Sequence, residues 1–358
     1  MVWAYVDHGA DDERTLRRNV DSFAGWRLRQ RVLTGVGEGS LATTVAGTEL
    51  DLPILLAPTG LAGASHWTGD LGAARAAEGS GTRLVLSSAS AYSLEEVGEG
   101  THESHWFQLY PWRNRELMGS LIARAQAAGF STLVVTVDVP VYGNRLREQR
   151  LGMALPPTIT PARALSAALR PAWLWALLRH RRLSLKNLEP VPGRSDPLGS
   201  LAVQSENLTA DITWSDVEWI RTQWSGPLLI KGILDPDDAE HAADLGADGV
   251  VVSNHGGRQL NATLASLEAL PAVAERVGHR IEVLVDGGIR TGADVVIARA
   301  LGAKACLIGR PMLYGLAGGG PDGVVDVLRI FREEITRTLA LMGVKGIDEV
   351  TRDCLIGD

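Results

Sequence analysis

The heptad Ser253-Asn254-His255-Gly256-Gly257-Arg258-Gln259 sets an imidazole three residues ahead of a guanidinium. A histidine changes charge near neutral pH and can take a proton, and an arginine can grip a carboxylate through two parallel hydrogen bonds. The paired glycines between them let backbone approach a flat ligand. A base beside a carboxylate binder suits oxidation of a 2-hydroxy acid. A lone histidine at a strand end is usually structural, so the context matters. The apolar run Gly249-Val250-Val251-Val252 reads as a buried strand, which puts His255 and Arg258 just past its carboxyl end, where barrel and open-sheet α/β enzymes carry their chemistry.

Other residues with chemical content also stand at the ends of β-rich runs: Pro58-Thr59-Gly60, Ser87, Gln108, Tyr110, Thr136, Asp138, Lys231, Asp286-Gly287-Gly288 and Gly309-Arg310. Gly287-Gly288-Ile289-Arg290 and Gly309-Arg310 follow the seventh and eighth runs, where barrels bind a phosphate with backbone N–H groups. Gly35-Val36-Gly37-Glu38-Gly39 is the nearest approach to a dinucleotide fingerprint, but it does not join a strand to a helix and reads as a turn. One phosphate site favours a mononucleotide flavin over NAD or FAD. Lys231 would be a costly buried charge unless an anion such as a reduced flavin faces it; the alternative is an ammonium that reaches solvent along its own stem. Asp138 is either an acid that orients His255 or a helix cap. Arg145 either joins Arg258 on the substrate carboxylate or decorates a surface loop.

The elements that must position these groups are βα repeats. Strand-like runs at 53–57, 84–87, 106–109, 133–137, 228–231, 249–253, 281–285 and 305–308 alternate with stretches of helical period at 70–80, 115–129, 214–224, 236–246, 264–277, 292–302 and 322–342. Asp235 before Pro236 and Thr213 before Trp214 are helix caps. Eight such repeats predict an α/β fold, a (β/α)8 TIM barrel, as one domain over 1–358. The repeat is interrupted by a long insertion after strand 4, about 140–208, of the kind that covers active sites or reaches partners. Within it, 170–182 reads as a short amphipathic helix with a basic end, which either lies in a membrane interface or packs on the barrel or a neighbouring subunit. Residues 4–10 follow Met1 so closely that little room remains for an introductory helix.

Composition narrows the class. The 358 residues carry a formal net charge of −7 with scattered basic residues, which argues against nucleic acid as a partner. The only cysteines, Cys306 and Cys354, form neither a disulfide framework nor a Cys-rich metal site, and suit a reducing cytosol. No apolar run nears the ~20 residues of a membrane span. The sequons at Asn207 and Asn261 read as chance matches.

At these residues the chain resembles the FMN-dependent L-2-hydroxy acid oxidases and dehydrogenases, the family of glycolate oxidase, lactate dehydrogenase and mandelate dehydrogenase. The resemblance spans nearly the whole length through Ser253 to Gln259, Phe107-Gln108-Leu109-Tyr110, Thr136-Val137-Asp138, Ile230-Lys231-Gly232 and Asp286-Gly287-Gly288-Ile289-Arg290. It implies His255 as catalytic base with Asp138 behind it, Arg258, Arg145 and Tyr5 on the substrate carboxylate, and Tyr110 hydrogen-bonded to the substrate. FMN is the implied cofactor. Ser87, Gln108, Thr136 and Lys231 would contact its isoalloxazine, Asp286, Gly288, Arg290, Gly309 and Arg310 its ribityl phosphate, and Pro58, Thr59, Gly60, Ser253, Gly257 and Gly287 would also bind it. Two electrons would leave C2 as hydride or its carbanion equivalent.

Gly60 and Ala89 stand where glycolate oxidases carry alanine and tryptophan, which implies room for a larger 2-substituent. Lactate to mandelate is the expected range, with aryl substrates slightly favoured. The chain departs from the family in lacking a helix before Tyr5, so one wall of the mouth is expected to be thin or supplied by another subunit. The insertion resembles that of membrane-associated dehydrogenases. Oxygen, a quinone or another acceptor would take the electrons. The implied assembly is a homotetramer, cytoplasmic or peripheral on the inner face of a membrane. The competing readings are a non-catalytic flavin scaffold, an FMN-dependent isomerase and a phosphosugar lyase.

Overall fold

In a computed structural model, which describes residues 2–37, 39–151, 160–161, 165, 168–188 and 206–356, the eight expected strands form one parallel sheet. They are β1 (Ile54–Leu56), β2 (Val85–Ser87), β3 (Trp106–Leu109), β4 (Thr132–Thr136), β5 (Leu228–Ile233), β6 (Gly249–Val252), β7 (Glu282–Asp286) and β8 (Ala305–Ile308). Each pairs with the next, β8 pairs with β1, and a bridge from Leu56 to Leu84 closes the ring. The strands read as unbroken apolar runs because both faces are covered. Alternate residues serve two layers: Leu55, Val134, Val251 and Leu284 fill the barrel, while their neighbours Leu56, Val135, Val252 and Val285 pack outward on the helices.

One end of the barrel is stoppered. A hairpin of Thr43–Val45 and Thr48–Leu50 sends Val45 and Leu50 into the inner layer. The indole of Trp106, at the start of β3, donates to Thr48 Oγ1 (3.1 Å), and Glu282, at the start of β7, accepts from Ala46 N–H (2.7 Å). The opposite end, where the strands finish, is left as the mouth.

The outer helices occupy the expected stretches: α3 (Gly69–Gly79), α5 (Arg115–Ala127), α8 (Trp214–Gln223), α9 (Pro236–Asp244), α10 (Ser266–Val277) and α11 (Gly292–Ala300), taking labels in chain order. Asp235 accepts from Asp237 N–H (2.8 Å) ahead of Pro236, the expected cap. Three readings change. Helix α4 (Leu94–Gly100) has no counterpart in the expected set, because its short length buries only Leu94 and Val97 and shows no apolar period; its signal is the capping box of Ser93 and Glu96. Helix α12 (Arg310–Met342) begins well before 322 and is broken at Gly320 (φ 61°, ψ −145°) ahead of Pro321. At the other end of the chain Val2–Asp7 form α1, followed by α2 (Arg14–Asp21). This overturns the expectation that no introductory helix is present: Tyr5 lies within one.

The insertion supplies α6 (Leu146–Arg150) and α7 (Pro171–His180); its stretches 152–159, 162–164, 166–167 and 189–205 lie outside the described residues. The indole of Trp173 on α7 donates to Ala64 O (3.0 Å), while Trp175 and Leu178 stay exposed (61% and 65%). Beyond α7 the chain returns to the barrel, with Leu185, Asn187 and Leu188 fully buried and Asn187 Oδ1 accepting from Leu94 N–H (2.9 Å).

Asp70 in the first turn of α3 is 3% exposed and accepts from Ala91 N–H (3.1 Å). Burial outweighs its donors and pushes the carboxyl up to about 6 from 3.8. A raised acid pKa means the folded chain holds a proton that the unfolded chain releases. Stability is therefore greatest below the unfolded pKa and falls as pH rises through about 6, by on the order of 3 kcal/mol at about 1.4 kcal/mol per unit. Asp70→Asn is expected to flatten the pH dependence of urea unfolding between about pH 4 and 7 and to raise stability at pH 7.5 by about 1–3 kcal/mol.

Candidate active site

Asp138 lies just past β4 and His255 just past β6, and the barrel's curvature brings His255 Nδ1 to 2.9 Å from Asp138 Oδ1. His255 has φ 58°, a left-handed conformation that costs energy in any residue with a Cβ, histidine less than most. Surrounding contacts hold it there. His255 N–H donates to Ser253 Oγ (3.0 Å), and Asn254 Oδ1 accepts from Gly257 N–H (3.0 Å). Asn254 and Asn19 of α2 exchange amide hydrogen bonds of 2.7 and 2.8 Å. Burial alone would raise the Asp138 carboxyl, but His255 and Lys231 bring it below its ordinary value. Asp138 is thus an anion behind the imidazole.

Lys231 is 3% exposed, which excludes the reading in which its stem reaches solvent. Burial opposes its charge, yet Asp286 at 2.7 Å and the Asp138 charge together raise the ammonium above its usual value. Ser253 Oγ accepts a further bond from it (2.9 Å). The counter-charge is therefore built into the chain at the end of β7.

Arg258 is anchored rather than free. Its Nη1 donates to Tyr5 O (2.6 Å) and His8 O (2.8 Å) at the end of α1, and its Nη2 lies 2.8 Å from Glu148 Oε1. Glu148 is 5% exposed and its other oxygen is 3.8 Å from Arg145 Nη1, so one carboxylate stands between the two arginines. Burial and the Arg145 charge lower Arg258, and Glu148 counters them. Tyr110 sits beside them with its phenol pushed up by burial and by the Asp138 charge, so it is a neutral hydrogen-bonding group.

At the seventh and eighth strand ends, Gly287 and Gly288 take φ of 92° and 84°, and a Cβ at Gly288 would stand 1.9 Å from Asn19 O. Only glycine fits there. Gly309 is the N-cap of α12 without a side-chain cap bond, which leaves helix N–H groups facing the same place. Arg290 and Arg310 flank it. Burial, then Arg258 and Arg290, lowers Arg310 to about 10. An anion is the ligand that relieves this crowding. The guanidinium of Arg310 donates to Val6 O, Gly256 O and His8 O (3.2, 3.0 and 3.2 Å), so it also ties α1 to the His255 loop.

One cavity, with about 1260 Å3 of empty space including its mouth, is lined by Tyr5, Pro58, Thr59, Gly60, Ala89, Gln108, Tyr110, Thr136, Arg145, Lys231, His255, Arg258, Asp286, Gly287, Gly288, Arg290, Gly309 and Arg310. Four expected residues stand behind this wall. Asp138 does so, behind His255. Ser87 is set back and donates to Gln108 Oε1 (3.1 Å), Ser253 receives Lys231, and Gly257 packs on α2, where a Cβ would come 2.6 Å from Leu16 N. Gly256 lines the cavity in its place. Glu148, Tyr142 and Leu185 were not anticipated. Glu148 had a signal, its i,i+3 spacing from Arg145, whereas Leu185 reaches the site by the fold of the insertion alone.

FMN fits these residues. Gln108 Nε2, Thr136 Oγ1 and Asp286 Oδ1 are buried, lack a partner among the described residues and belong to residues on this wall. They suit the polar edge and ribityl hydroxyls of a flavin, and the glycine turn with the α12 N-terminus suits its phosphate. Arg145 Nε is likewise buried without a partner among the described residues, a donor suited to a carboxylate.

The profile of the FMN-dependent dehydrogenase family matches residues 1–357. The chain is 46% identical over 357 residues to L-lactate dehydrogenase of Caulobacter sp. (strain K31), covering 99% of this chain and 94% of that protein. It is 44% identical over 361 residues to that of Vibrio cholerae serotype O1 (strain M66-2), with 99% and 94% covered. Among solved structures it superposes on the monotopic membrane protein (S)-mandelate dehydrogenase with a TM-score of 0.96 at 38% identity, over 100% of this chain and 95% of that one. Mandelate oxidase with (S)-2-phenylpropionate gives 0.83 at 32% identity, over 100% and 93%. The cavity with its imidazole, its arginines and its phosphate cradle is thus that of a flavin enzyme, and the chain belongs to the FMN-dependent dehydrogenase family.

Proposed function

We propose that the protein oxidises an L-2-hydroxy acid of the lactate-to-mandelate range to the 2-oxo acid, with His255 as base. The observation that carries this is the 2.9 Å contact of His255 Nδ1 with Asp138 on the wall that also holds Arg258 and Arg145. With Nδ1–H donated to the carboxylate, Nε2 is left with the lone pair that takes the substrate hydroxyl proton. Asp138 then stabilises the imidazolium. Arg145, Arg258 and Tyr5 bind the substrate carboxylate, and Tyr110, a neutral phenol, hydrogen-bonds the substrate. FMN, when bound, accepts the two electrons lost from C2. Lys231 holds a positive charge on the cofactor side of the cavity, Gln108 and Thr136 offer their unpaired groups to the ring, and Asp286, Gly287, Gly288, Arg290, Gly309 and Arg310 hold the ribityl phosphate. A flavin scaffold without turnover, an isomerase or a phosphosugar lyase has no use for two arginines beside a base.

The substrate range rests on Gly60 and Ala89. Both are small and line the cavity, and a Cβ at Gly60 would lie 3.0 Å from Tyr5 Oη and 3.3 Å from Ala89 Cβ, tighter than an ordinary contact. A side chain there would press on the tyrosine and the wall, which a bulky 2-substituent tolerates less than a methyl group does. Attachment to a membrane surface through α7 and a homotetrameric assembly belong to the same proposal. Exposed Trp175 and Leu178 beside Arg179 and Arg181 support the attachment, and no helix among the described residues is long and apolar enough to cross a membrane.

Anaerobic mixing with L-lactate or L-mandelate is expected to bleach the flavin absorbance; no bleaching with a panel of L-2-hydroxy acids refutes the reading. His255→Ala and Asp138→Asn are expected to retain FMN and to slow this reduction on the order of 10²–10⁴-fold, as loss of a general base or its orienting partner does. Gly60→Ala is expected to cut kcat/KM for mandelate about tenfold more than for lactate, the scale of a lost methylene-sized space. Equal losses for the two acids would remove the steric argument.

A further inference from the structure

Helix α6 is only five residues long, yet its two faces are tied to different partners. Arg147 reaches the end of α1, with Nη1 3.3 Å from His8 Nδ1 and 3.5 Å from Glu13 Oε2. Glu148, the next residue, turns the other way and is 5% exposed. Its Oε1 lies 2.8 Å from Arg258 Nη2 and its Oε2 lies 3.8 Å from Arg145 Nη1. Arg145 is the N-cap of the same helix, so one turn of chain carries an arginine of the cavity together with the acid that faces it.

The loop leading into α6 is fixed as well. Gln259, the last residue of the heptad, donates through Nε2 to Asp138 O (3.1 Å) and Val141 O (2.8 Å), and its Oε1 accepts from Gly143 N–H (3.1 Å). A Cβ at Gly143 would stand 2.3 Å from Arg258 O, so the loop lies directly against the segment that carries Arg258. Glu148 is thereby held between the two guanidinium groups.

Arg145 and Arg258 line the catalytic cavity, and Glu148 stands behind that wall. It acts on a substrate through the arginines, by charge. No other carboxylate among the described residues forms an ion pair with either of them, so two guanidinium groups and one carboxylate leave one net positive charge. The remaining cation near the ring side, Lys231, is already balanced by Asp286 at 2.7 Å. Tyr5, Tyr110 and Tyr142 also line the cavity; their phenols offer hydrogen bonds and no positive charge.

We propose that Glu148 sets the charge of the substrate: by neutralising one of the two arginines it confines the site to 2-hydroxy acids with a single carboxylate and turns away those with a second carboxylate on the 2-substituent; the inference rests on the dehydrogenase reading above. A monocarboxylate brings one negative charge to one net positive charge. A dicarboxylate brings a second charge that would lose water without gaining a counter-ion, which is strongly unfavourable in a partly dry cavity. Size does not exclude it, since a cavity that takes an aryl group beside Gly60 and Ala89 also has room for a carboxymethyl group. Glu148 is thus a positioning residue that decides substrate class without touching the substrate.

The test compares FMN-loaded wild type, Glu148→Gln and Glu148→Asp at about pH 7.5, where both carboxylates of a dicarboxylic acid are ionised. Propionate and malonate, which have no 2-hydroxyl to oxidise, are titrated into the oxidised enzyme and read from the change in flavin absorbance. L-lactate and L-malate are compared by anaerobic bleaching of the flavin. In Glu148→Gln the malonate-to-propionate affinity ratio and the malate-to-lactate ratio of kcat/KM are each expected to rise at least about tenfold. Glu148→Asp, which keeps the charge, is expected to keep the wild-type ratios. A ratio cancels any general loosening of the site, so unchanged ratios in Glu148→Gln overturn the proposal even if every affinity falls. Wild-type enzyme that binds malonate as tightly as propionate overturns it without any variant. Failure of the wild-type flavin to bleach with every hydroxy acid refutes the dehydrogenase reading instead, while the malonate-to-propionate ratio still reads the charge rule, so the two failures are distinguishable.

Discussion

A carboxylate past β4 and an imidazole past β6 meet at 2.9 Å, and the chemistry of the site depends on that contact. With Nδ1 turned to the carboxylate, Nε2 is the ring nitrogen left to the cavity that His255 lines. The contact spans two strand positions and exists because the closed parallel ring turns Asp138 and His255 toward one axis. The strain of a left-handed histidine is sustained by Ser253, Asn254 and the asparagine that α2 sends across to the loop. Rigid strands therefore set the distance, and a helix from the start of the chain sets the angle.

Charge balance is the second constraint. The mouth gathers Arg145, Lys231, Arg258, Arg290 and Arg310 in a partly dry space, where isolated ions would be too costly to keep. Each acid that faces them has a different part. Asp286 neutralises Lys231, Glu148 stands between Arg145 and Arg258, and Asp138 serves the imidazole. The cations of the mouth that have no ion pair with a carboxylate among the described residues, Arg290 and Arg310, flank the glycine turn and the α12 N-terminus. That excess of positive charge is what makes the place fit for a phosphate, and Glu148 holds Arg258 charged and oriented where a substrate carboxylate would arrive.

The repeat of apolar runs and helical stretches was legible because a parallel strand covered on both faces has no polar alternation to confuse it. The heptad and the glycine pair at 287 and 288 were legible for a related reason, since few residue types satisfy positive φ or close approach. Helix α4 escaped because seven residues are too few to show a period, and α1 escaped because its stability comes from Arg258 and Arg310 binding its last carbonyls, contacts that lie some 250 to 300 residues away in sequence. Gly257 was placed on the cofactor by its motif, but its neighbour Gly256 is on the wall, because a one-residue step turns the backbone away from the cavity and onto Leu16.

By itself the sequence determined which groups are present and near which strand end each one falls: an imidazole, a carboxylate, arginines, a lysine and a glycine turn. Those follow from residue type and local period, which are properties of short stretches. Tertiary structure decided which charges neutralise one another, and which serines and glycines stand on the wall or behind it. These are contacts between residues far apart in the chain, and their geometry is fixed only when the barrel closes and α1, α2 and the insertion pack over its mouth.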